Sequence, residues 1–215
     1  MERSPESRLE ATIAIVVAVA LMAALPDRVA NHPRWAVDVV AFLLAIVLLL
    51  ATRGQTEPHR GLRVTGLVLT GLLTLVNLAA GARLVVDLTR GQGIRTPSTL
   101  LLTGGAIWLT NVIVFSLWYW ELDRGGRVER AASPHDAGGH DFLFPQWTAE
   151  PPFGDYGWNP TFVDYLYMAF TNATAFSPTD VMPLSRWAKM AMMVQSALSI
   201  GIIVLVVARA VNILD

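Results

Sequence analysis

Five apolar runs without a charged residue constrain this chain more than any other feature of its sequence. They cover residues 11–26, 39–52, 64–82, 96–120 and 190–208. The last three reach the length of about 18 residues at which an apolar helix can span a bilayer. The first two are shorter, and flanking residues such as Arg8, Arg28 and Trp35 can extend them into the interface. The sequence therefore predicts an all-α integral membrane protein with five transmembrane helices.

The composition excludes several other classes of protein. Hydrophobic residues make up 53% of the chain and charged residues only 15%. The formal net charge is −1, and the basic residues are scattered, whereas a nucleic-acid surface needs clustered Lys and Arg. The chain contains no cysteine, so disulfides, thiolate metal sites and cysteine nucleophiles are excluded.

The segment between the fourth and fifth runs differs from the short linkers between the others. It begins with a long loop, residues 122–160, that is first Gly-rich and polar and then aromatic. Residues 162–174 read as an amphipathic helix of about three and a half turns, which is too short to span a bilayer. A short apolar helix, a hydroxyl-rich stretch and a long final helix predict a re-entrant loop, which requires burial in protein or a water-lined cavity.

Residues 165–186 have the sequence YLYMAFTNATAFSPTDVMPLSR, which resembles the pore module of the potassium-channel pore-loop superfamily. In that superfamily an aromatic-rich pore helix ends in Thr, a filter leads to an Asp, and a Pro-containing turn enters the inner helix. Thr174, Asp180 and Pro183 occupy those places, and Gly201 resembles a hinge glycine of the inner helix. The resemblance implies an ion channel.

The same resemblance implies how the chain is divided. Residues 1–98 would form a three-helix membrane region, and residues 99–215 a channel-like module. The module would contain an outer helix at 99–121, a long loop at 122–160, a pore helix at 161–174, a filter-like loop at 175–183 and an inner helix at 184–214. Residues 118–126, 142–146, 172–180 and 208–212 also resemble a family of uncharacterised bacterial multi-pass membrane proteins, so the expected location is the bacterial cytoplasmic (inner) membrane.

The filter-like loop departs from a potassium filter because residues 175–179 contain no glycine. Other residues avoid the positive φ that such a filter needs, and Pro178 also lacks an N–H group. Potassium selectivity is therefore not expected. Hydroxyl groups and a ring of carboxylates would instead favour monovalent cations over anions. The expected filter and pore-lining residues are Thr174, Ala175, Phe176, Ser177, Pro178, Thr179 and Asp180.

Two acidic residues of this module have alternative roles. Asp180 either forms a ring of charge at the pore mouth, or caps the following turn or pairs with Arg186. Asp164 is a candidate site residue, but a carboxylate in the first turn of a helix is also favoured by the helix dipole.

The inner helix carries candidate hinge or gate positions at Met193, Gly201 and Arg209. An Arg at the membrane interface needs no such role, however. If the Phe176 rings or the apolar faces around Met190 and Met193 met on the pore axis, they would close the pore by dewetting.

Other polar residues point to structure rather than to a ligand. The amides of Asn77, Asn111 and Gln195 lie within apolar runs, where amides commonly hydrogen-bond between helices. Two His-Asp pairs at 135–136 and 140–141 give only a weak signal for zinc, because flexible residues separate them. No Ser lies in a nucleophile-elbow pattern. The sequence predicts no enzyme, no metal site and no cofactor, apart from a permeant monovalent cation.

A single re-entrant loop cannot enclose a pathway, so the channel hypothesis requires several chains. The resemblance implies a homotetramer around a central axis, with the lipid bilayer and inorganic cations as its other partners and no nucleic acid. No predicted helix carries the regularly spaced Arg residues of a voltage sensor. Basic residues are balanced between the two sides, so they do not decide the orientation. The alternative function is a non-conducting membrane scaffold or accessory subunit with a channel-like fold.

Overall fold

The structure is a computed structural model that describes residues 8–26, 29, 42, 60–91, 94, 96–126, 129–130, 139–149, 158–174 and 180–214. These parts of the chain are mostly helical. Their helices are α1 (Leu9–Ala23), α2 (Arg60–Thr89), α3 (Pro97–Leu122), α4 (Pro145–Thr148), α5 (Phe162–Thr174) and α6 (Arg186–Leu214). Two short strands, β1 (Phe142–Leu143) and β2 (Met182–Pro183), form an antiparallel pair.

The all-α class is confirmed, and within the described parts of the chain three helices are long and apolar enough to cross a membrane. They are Arg63–Thr89, Pro97–Gly125 and Arg186–Asn212. The apolar helix α1 has 15 residues and rises by about 22 Å, which is less than the hydrocarbon thickness of about 30 Å. The predicted span at 39–52 lies outside the described residues except for Phe42.

The helices α2 and α3 run antiparallel. Arg63, at the start of α2, lies 4.0 Å from the carboxylate of Glu121 at the end of α3. Farther along α2, Gly81 approaches Ile107, in the first half of α3. We call the end of the bundle that contains Glu121 the loop end, because the loop before α5 follows Glu121. The other end of the bundle is called the opposite end.

The helix α1 also begins at the loop end, since Arg8 and Glu121 line one cleft. Beyond its other end, Leu25 packs in a cluster with Leu84 and Leu100, at the opposite end. The end of α1 and the start of α2 therefore lie at opposite ends of the bundle.

The helix α6 runs antiparallel to α3 and lies very close to it. At the loop end, Trp187 of α6 and the backbone of Arg124 bind the same carboxylate, that of Asp141. Towards the opposite end, a Cβ atom added to Gly104 would lie 2.6 Å from Cγ2 of Val206. A small residue at position 104 lets α3 and α6 approach each other closely. Together, α3 and α6 support the helix α5.

Candidate functional site

The helix α5 lies along the loop-end half of α3 rather than along its whole length. The ring of Phe162, its first residue, is 5.9 Å from the ring of Trp120 near the end of α3. The ring of Phe170 is 5.6 Å from that of Trp108, in the middle of α3. The thirteen residues of α5 advance by about 20 Å. It therefore starts at the loop end and finishes near the middle of the bundle.

The start of α5 is capped by Asp164. Its Oδ2 atom accepts hydrogen bonds from the backbone N–H of Thr161 at 2.7 Å and from the Thr161 hydroxyl at 2.8 Å. A helix leaves its first backbone N–H groups without partners inside the helix, and reciprocal contacts of this kind stabilise its start. The structure thus gives this carboxylate a structural role at the loop end.

A buried glutamine holds the later part of α5. Gln195 of α6 has no exposed surface, and its Oε1 atom accepts hydrogen bonds from the Tyr119 hydroxyl and from Nδ2 of Asn172, both at 2.7 Å. Its Nε2 atom donates to the carbonyl of Ala169 at 2.8 Å. One side chain therefore links α3, α5 and α6.

Two further contacts lock Asn172 of α5 against α6. Its Nδ2 atom also donates to the carbonyl of Met192 at 3.0 Å, and its Oδ1 atom accepts from the Ser196 hydroxyl at 3.0 Å. We call Tyr119, Asn172, Gln195 and Ser196 the amide cluster. Hydrogen bonds in apolar surroundings are costly to leave unmade, so this cluster opposes withdrawal of α5 from the groove between α3 and α6.

The prediction that span amides tie helices together is confirmed for Gln195 and for Asn111. Asn111 of α3 donates to the Ser199 hydroxyl of α6 at 2.9 Å. Asn77 is buried in α2, and no hydrogen bond reaches its Oδ1 atom from the part of the chain that the structure describes.

Asp141 holds the chain that follows the filter-like loop. Its carboxylate accepts hydrogen bonds from the indole N–H of Trp187 at 2.7 Å and from the backbone N–H of Arg124 at 3.0 Å. Its carbonyl accepts from the backbone N–H of Leu184 at 2.7 Å. Immediately after Asp141, β1 pairs with β2, with Phe142 opposite Pro183. The strand β2 therefore lies at the loop end of the bundle.

A buried charged cluster joins the start of α5 to the end of α3. Asp123 has no exposed surface, and its carboxylate accepts hydrogen bonds from the Tyr165 hydroxyl and from the backbone N–H of Asp141. Arg130 is buried as well; its guanidinium donates to the carbonyls of Trp120 and Asp123 and lies 5.1 Å from the centre of the Tyr165 ring. We call Asp123, Arg130 and Tyr165 the charged cluster.

Aromatic rings pack around the charged cluster at the loop end. The ring of Phe144 lies about equally far from the rings of Trp147, Trp158 and Tyr165, at 5.5, 5.4 and 5.5 Å. The indole N–H of Trp147 donates to the carbonyl of Trp158 at 3.0 Å. Rings with a polar edge are enriched where membrane proteins meet the bilayer surface, which matches the position of this layer at the helix ends.

The His-Asp pairs do not form a metal site among the described residues. His140 packs against Trp147 with a ring distance of 4.8 Å, and Asp141 makes the hydrogen bonds given above. The first pair, at 135–136, lies outside the described residues. Within the described ranges, no three His, Asp or Glu side chains are placed to hold a metal ion.

The structure describes only the two ends of the predicted filter. Thr174 is the last residue of α5, and its hydroxyl donates to the carbonyl of Thr171 at 2.7 Å, so its oxygen is left as an acceptor. Asp180 is exposed, next to the residues that lead into β2. The other predicted filter residues lie outside the described residues; they are Ala175, Phe176, Ser177, Pro178 and Thr179.

The candidate hinge or gate positions lie along α6. Met193 is 63% exposed, Arg209 is half-buried near the opposite end, and a Cβ atom added to Gly201 would meet nothing within 4 Å. Met193 belongs to an exposed apolar face of α6, which recurs every three or four residues; its members are Met190, Met193, Val194, Ala197, Ile200, Val204, Val207 and Val211.

Several residues that define the site had no predicted role. Tyr119, Asp123 and Asn172 were not singled out, and Asp141 was considered only as a weak metal ligand. A polar residue inside or beside an apolar run was the available signal, because burial of such a group requires a partner. The identity of that partner was not visible in the sequence.

No protein-family model matches the chain, and no curated protein or solved structure matches it. The resemblance to pore-loop channels therefore gains no support from these comparisons.

Proposed function

We propose that this chain is a subunit of a pore-loop ion channel in the bacterial cytoplasmic membrane. The channel would be a homotetramer that passes monovalent cations without selecting potassium. One observation carries the proposal: α5 enters from the loop end and ends near the middle of the bundle, while β2 lies at the loop end again, beside β1. In the proposed channel, this segment would form a re-entrant loop.

The lengths of the connecting segments support this course. Only seven residue steps separate Thr174 from Val181. An extended chain covers at most about 3.3–3.6 Å per residue, so these steps reach about 25 Å at most. The rise of α5 is about 20 Å. Seven steps are therefore long enough to join the two described ends, Thr174 and Val181.

The electrostatics of the site support cations rather than anions. The last carbonyl groups of a helix carry a partial negative charge, and α5 directs them from Thr174 towards the interior of the bundle. Asp180 adds a full negative charge at the exposed end of the same loop. Four copies around an axis would form a ring of carboxylates above a ring of hydroxyl oxygens. The amide cluster and Asp141 would hold the two ends of the loop in place.

The exposed apolar face of α6 supports assembly around an axis. In a ring of four chains, faces of this kind either contact a neighbouring chain or line the pathway. Met193 and Gly201 would then lie near the axis, where their environment controls wetting. The helices α1 and α2 would pack outside this ring.

Labelling of introduced cysteines tests the re-entrant course, because the natural chain contains no cysteine. We expect Val163→Cys at the start of α5 and Met182→Cys in β2 to react with an impermeant maleimide from the same membrane face. Both side chains are about half exposed, at 53% and 54%. Arg90→Cys, exposed at the opposite end of α2, is the control and should react only from the other face. Labelling of Val163→Cys and Met182→Cys from opposite faces would show that α5 crosses the membrane.

Planar-bilayer recording under asymmetric salt tests the conduction proposal. We expect a reversal potential biased towards cations, and we expect Asp180→Asn to reduce the cation-to-anion permeability ratio at least about fivefold. A unit charge about 4 Å from an ion in water contributes about 1 kcal/mol, which corresponds to that factor. Asp164→Asn is the matched control and should leave the ratio unchanged, because that carboxylate caps α5.

Three results would contradict the conduction proposal in different ways. Equal cation-to-anion permeability ratios in the wild type and in Asp180→Asn would show that Asp180 does not act on ions in the pathway. A silent wild-type protein with the native mass of four chains would favour the alternative function, a non-conducting scaffold or accessory subunit. A native mass other than that of four chains would contradict the proposed assembly itself.

A further inference from the structure

The helix α5 is covered by the described parts of its own chain on only part of its circumference. It packs against α3 and α6 through residues such as Phe162 and Ala169. Its outer face carries a row of large apolar side chains that are all about half exposed, Val163, Tyr167 and Phe170. These positions are three or four residues apart, so they lie above one another on one side of the helix. We call them the α5 stripe.

Lipid is unsuited to cover the inner end of this stripe. Thr174, the last residue of α5, lies one turn beyond Phe170 on the same side of the helix. The last carbonyl groups of a helix have no partners within the helix, and α5 ends near the middle of the bundle. At that depth of a membrane, backbone of this kind is tolerated only where protein buries it or water surrounds it. Apolar side chains are unfavourable for a water-filled wall, so the suitable cover is protein.

The helix α6 exposes a second row that points away from its own α5. Its members Arg186, Met190 and Val194 follow one another at intervals of four residues and are exposed. A helix turns by about 100° per residue, which places Met190 and Val194 about 120° and 160° away from Ser196. Ser196 is the residue that bonds Asn172 of the same chain. We call Arg186, Met190 and Val194 the α6 stripe.

The two stripes lie at the same depth in the bundle. Near the end of α5, Asn172 contacts the Met192 carbonyl and the Ser196 hydroxyl of α6. Both helices run from the loop end with the same rise per residue, which places Tyr167, five residues before Asn172, at the level of Met190. Copies in a ring are related by rotation about the membrane normal, which leaves depth unchanged. The α5 stripe of one chain can therefore meet the α6 stripe of another turn by turn.

The charges at the loop end of the two stripes are complementary. The helix α5 carries the acidic Asp164 and no basic residue, whereas the α6 stripe begins with Arg186. Asp164 bonds Thr161 through Oδ2, so its Oδ1 atom is available. Among the described residues, no carboxylate of the same chain forms an ion pair with Arg186. Opposite charges on two apolar rows at one level favour a second copy of this chain as the cover.

We propose that the α5 stripe of each chain packs against the α6 stripe of the neighbouring chain in the ring. This inference rests on the proposed tetramer and names the surfaces that hold it together. Tyr167 contacts Met190 of the next chain, and Asp164 approaches Arg186 of that chain. Each chain provides one stripe and receives the other, as a closed ring of head-to-tail contacts requires. The neighbouring chain thereby completes the support of α5.

Disulfide cross-linking tests this packing, because the natural chain contains no cysteine. Tyr167→Cys and Met190→Cys, carried on co-expressed chains with different tags, should form a disulfide between those chains under mild oxidation. Phe170→Cys and Val194→Cys should do the same. A single chain with both Tyr167→Cys and Met190→Cys should give a series of products that ends at four chains, whereas either substitution alone should leave monomers.

Two control positions match the exposure of Met190 but lie outside the α6 stripe. Val68→Cys is exposed on α2, at 58% against 57% for Met190, and lies at a similar depth because α2 also starts at the loop end. Val204→Cys is equally exposed on α6 but lies about 21 Å beyond Met190. Neither should cross-link to Tyr167→Cys. Cross-linking of Val68→Cys as efficient as that of Met190→Cys would overturn the proposal.

Charge reversal gives an independent measure of the same contact. Arg186→Glu should weaken association of the chains at least about fivefold, because two unit charges about 4 Å apart in water contribute about 1 kcal/mol. Lys189→Glu is the matched control and should leave association unchanged, because Lys189 lies on the side of α6 that faces its own α5. Equal effects of the two substitutions would contradict the proposed contact.

Native mass measured on the same samples separates this packing from the proposed assembly. A mass of four chains without a disulfide between Tyr167→Cys and Met190→Cys would overturn the packing and leave the tetramer intact. A mass other than that of four chains would contradict the tetramer and this packing together.

Discussion

Replacement of Asp123 by Ala should lower the free energy of unfolding by about 2–5 kcal/mol, because buried hydrogen-bond donors would lose their acceptor at about 1–3 kcal/mol each. Arg130 would remain buried without the carboxylate that interacts with its charge. The Tyr165 hydroxyl and the backbone N–H of Asp141 would also lose their acceptor. Guanidinium unfolding in detergent, followed by tryptophan fluorescence, measures the loss.

Two comparisons isolate the contribution of the charged cluster. Asp164→Ala removes a carboxylate from the same region but only from a helix cap, so it should cost about 1 kcal/mol. Asp123→Asn should be less damaging than Asp123→Ala, because its side-chain oxygen can still accept the hydrogen bond from the Tyr165 hydroxyl. If Asp123→Ala cost no more than Asp164→Ala, the charged cluster would not be what joins α5 to α3.

Replacement of Gln195 by Leu should cost about 2–4 kcal/mol, because it removes the centre of the amide cluster while nearly conserving volume. The Tyr119 hydroxyl and the Ala169 carbonyl would each lose a partner in a buried, apolar setting, at about 1–3 kcal/mol for a typical unsatisfied group. Asn172 would keep its bond to the Met192 carbonyl. We expect α5 to be released first, so protease sensitivity near Thr174 should rise before global unfolding.

Met193→Leu is the matched control for this substitution. It introduces the same leucine side chain two residues from Gln195, on the exposed face of α6. Leucine and methionine have similar volumes, and surface substitutions usually change stability by less than about 0.5 kcal/mol. If Gln195→Leu were as stable as Met193→Leu, with unchanged proteolysis, the amide cluster would not be the element that holds α5.

The sequence was sufficient for features that depend on local chemistry. Charge-free apolar runs predicted α2, α3 and α6 as membrane helices, because length and apolarity alone decide whether a helix can cross a bilayer. The short amphipathic helix was predicted at 162–174 and the pore helix of the module at 161–174, and the structure has a helix at Phe162–Thr174. The predicted inner helix at 184–214 begins at Arg186, since Leu184 and Ser185 instead donate backbone hydrogen bonds to the Asp141 carbonyl.

Residue type alone also indicated that Gln195 and Asn111 would bind other helices, since an amide in an apolar run requires a partner. The partner itself depends on which helices meet and at what level. Tyr119, Ala169 and Asn172 stand 76, 26 and 23 positions from Gln195, and nothing in the spacing of those residues distinguishes them from other polar groups.

The roles of Asp123 and Asp141 were decided only by tertiary structure. Both look like residues of an exposed loop in the sequence, yet the first is fully buried and the second joins the end of α3 to the start of α6. Their contacts join segments of the loop end that are up to 46 residues apart in the sequence. Local patterns determined which segments are helices, whereas long-range packing determined which polar side chains meet, because a buried hydrogen bond depends on positions in space and not on distance along the chain.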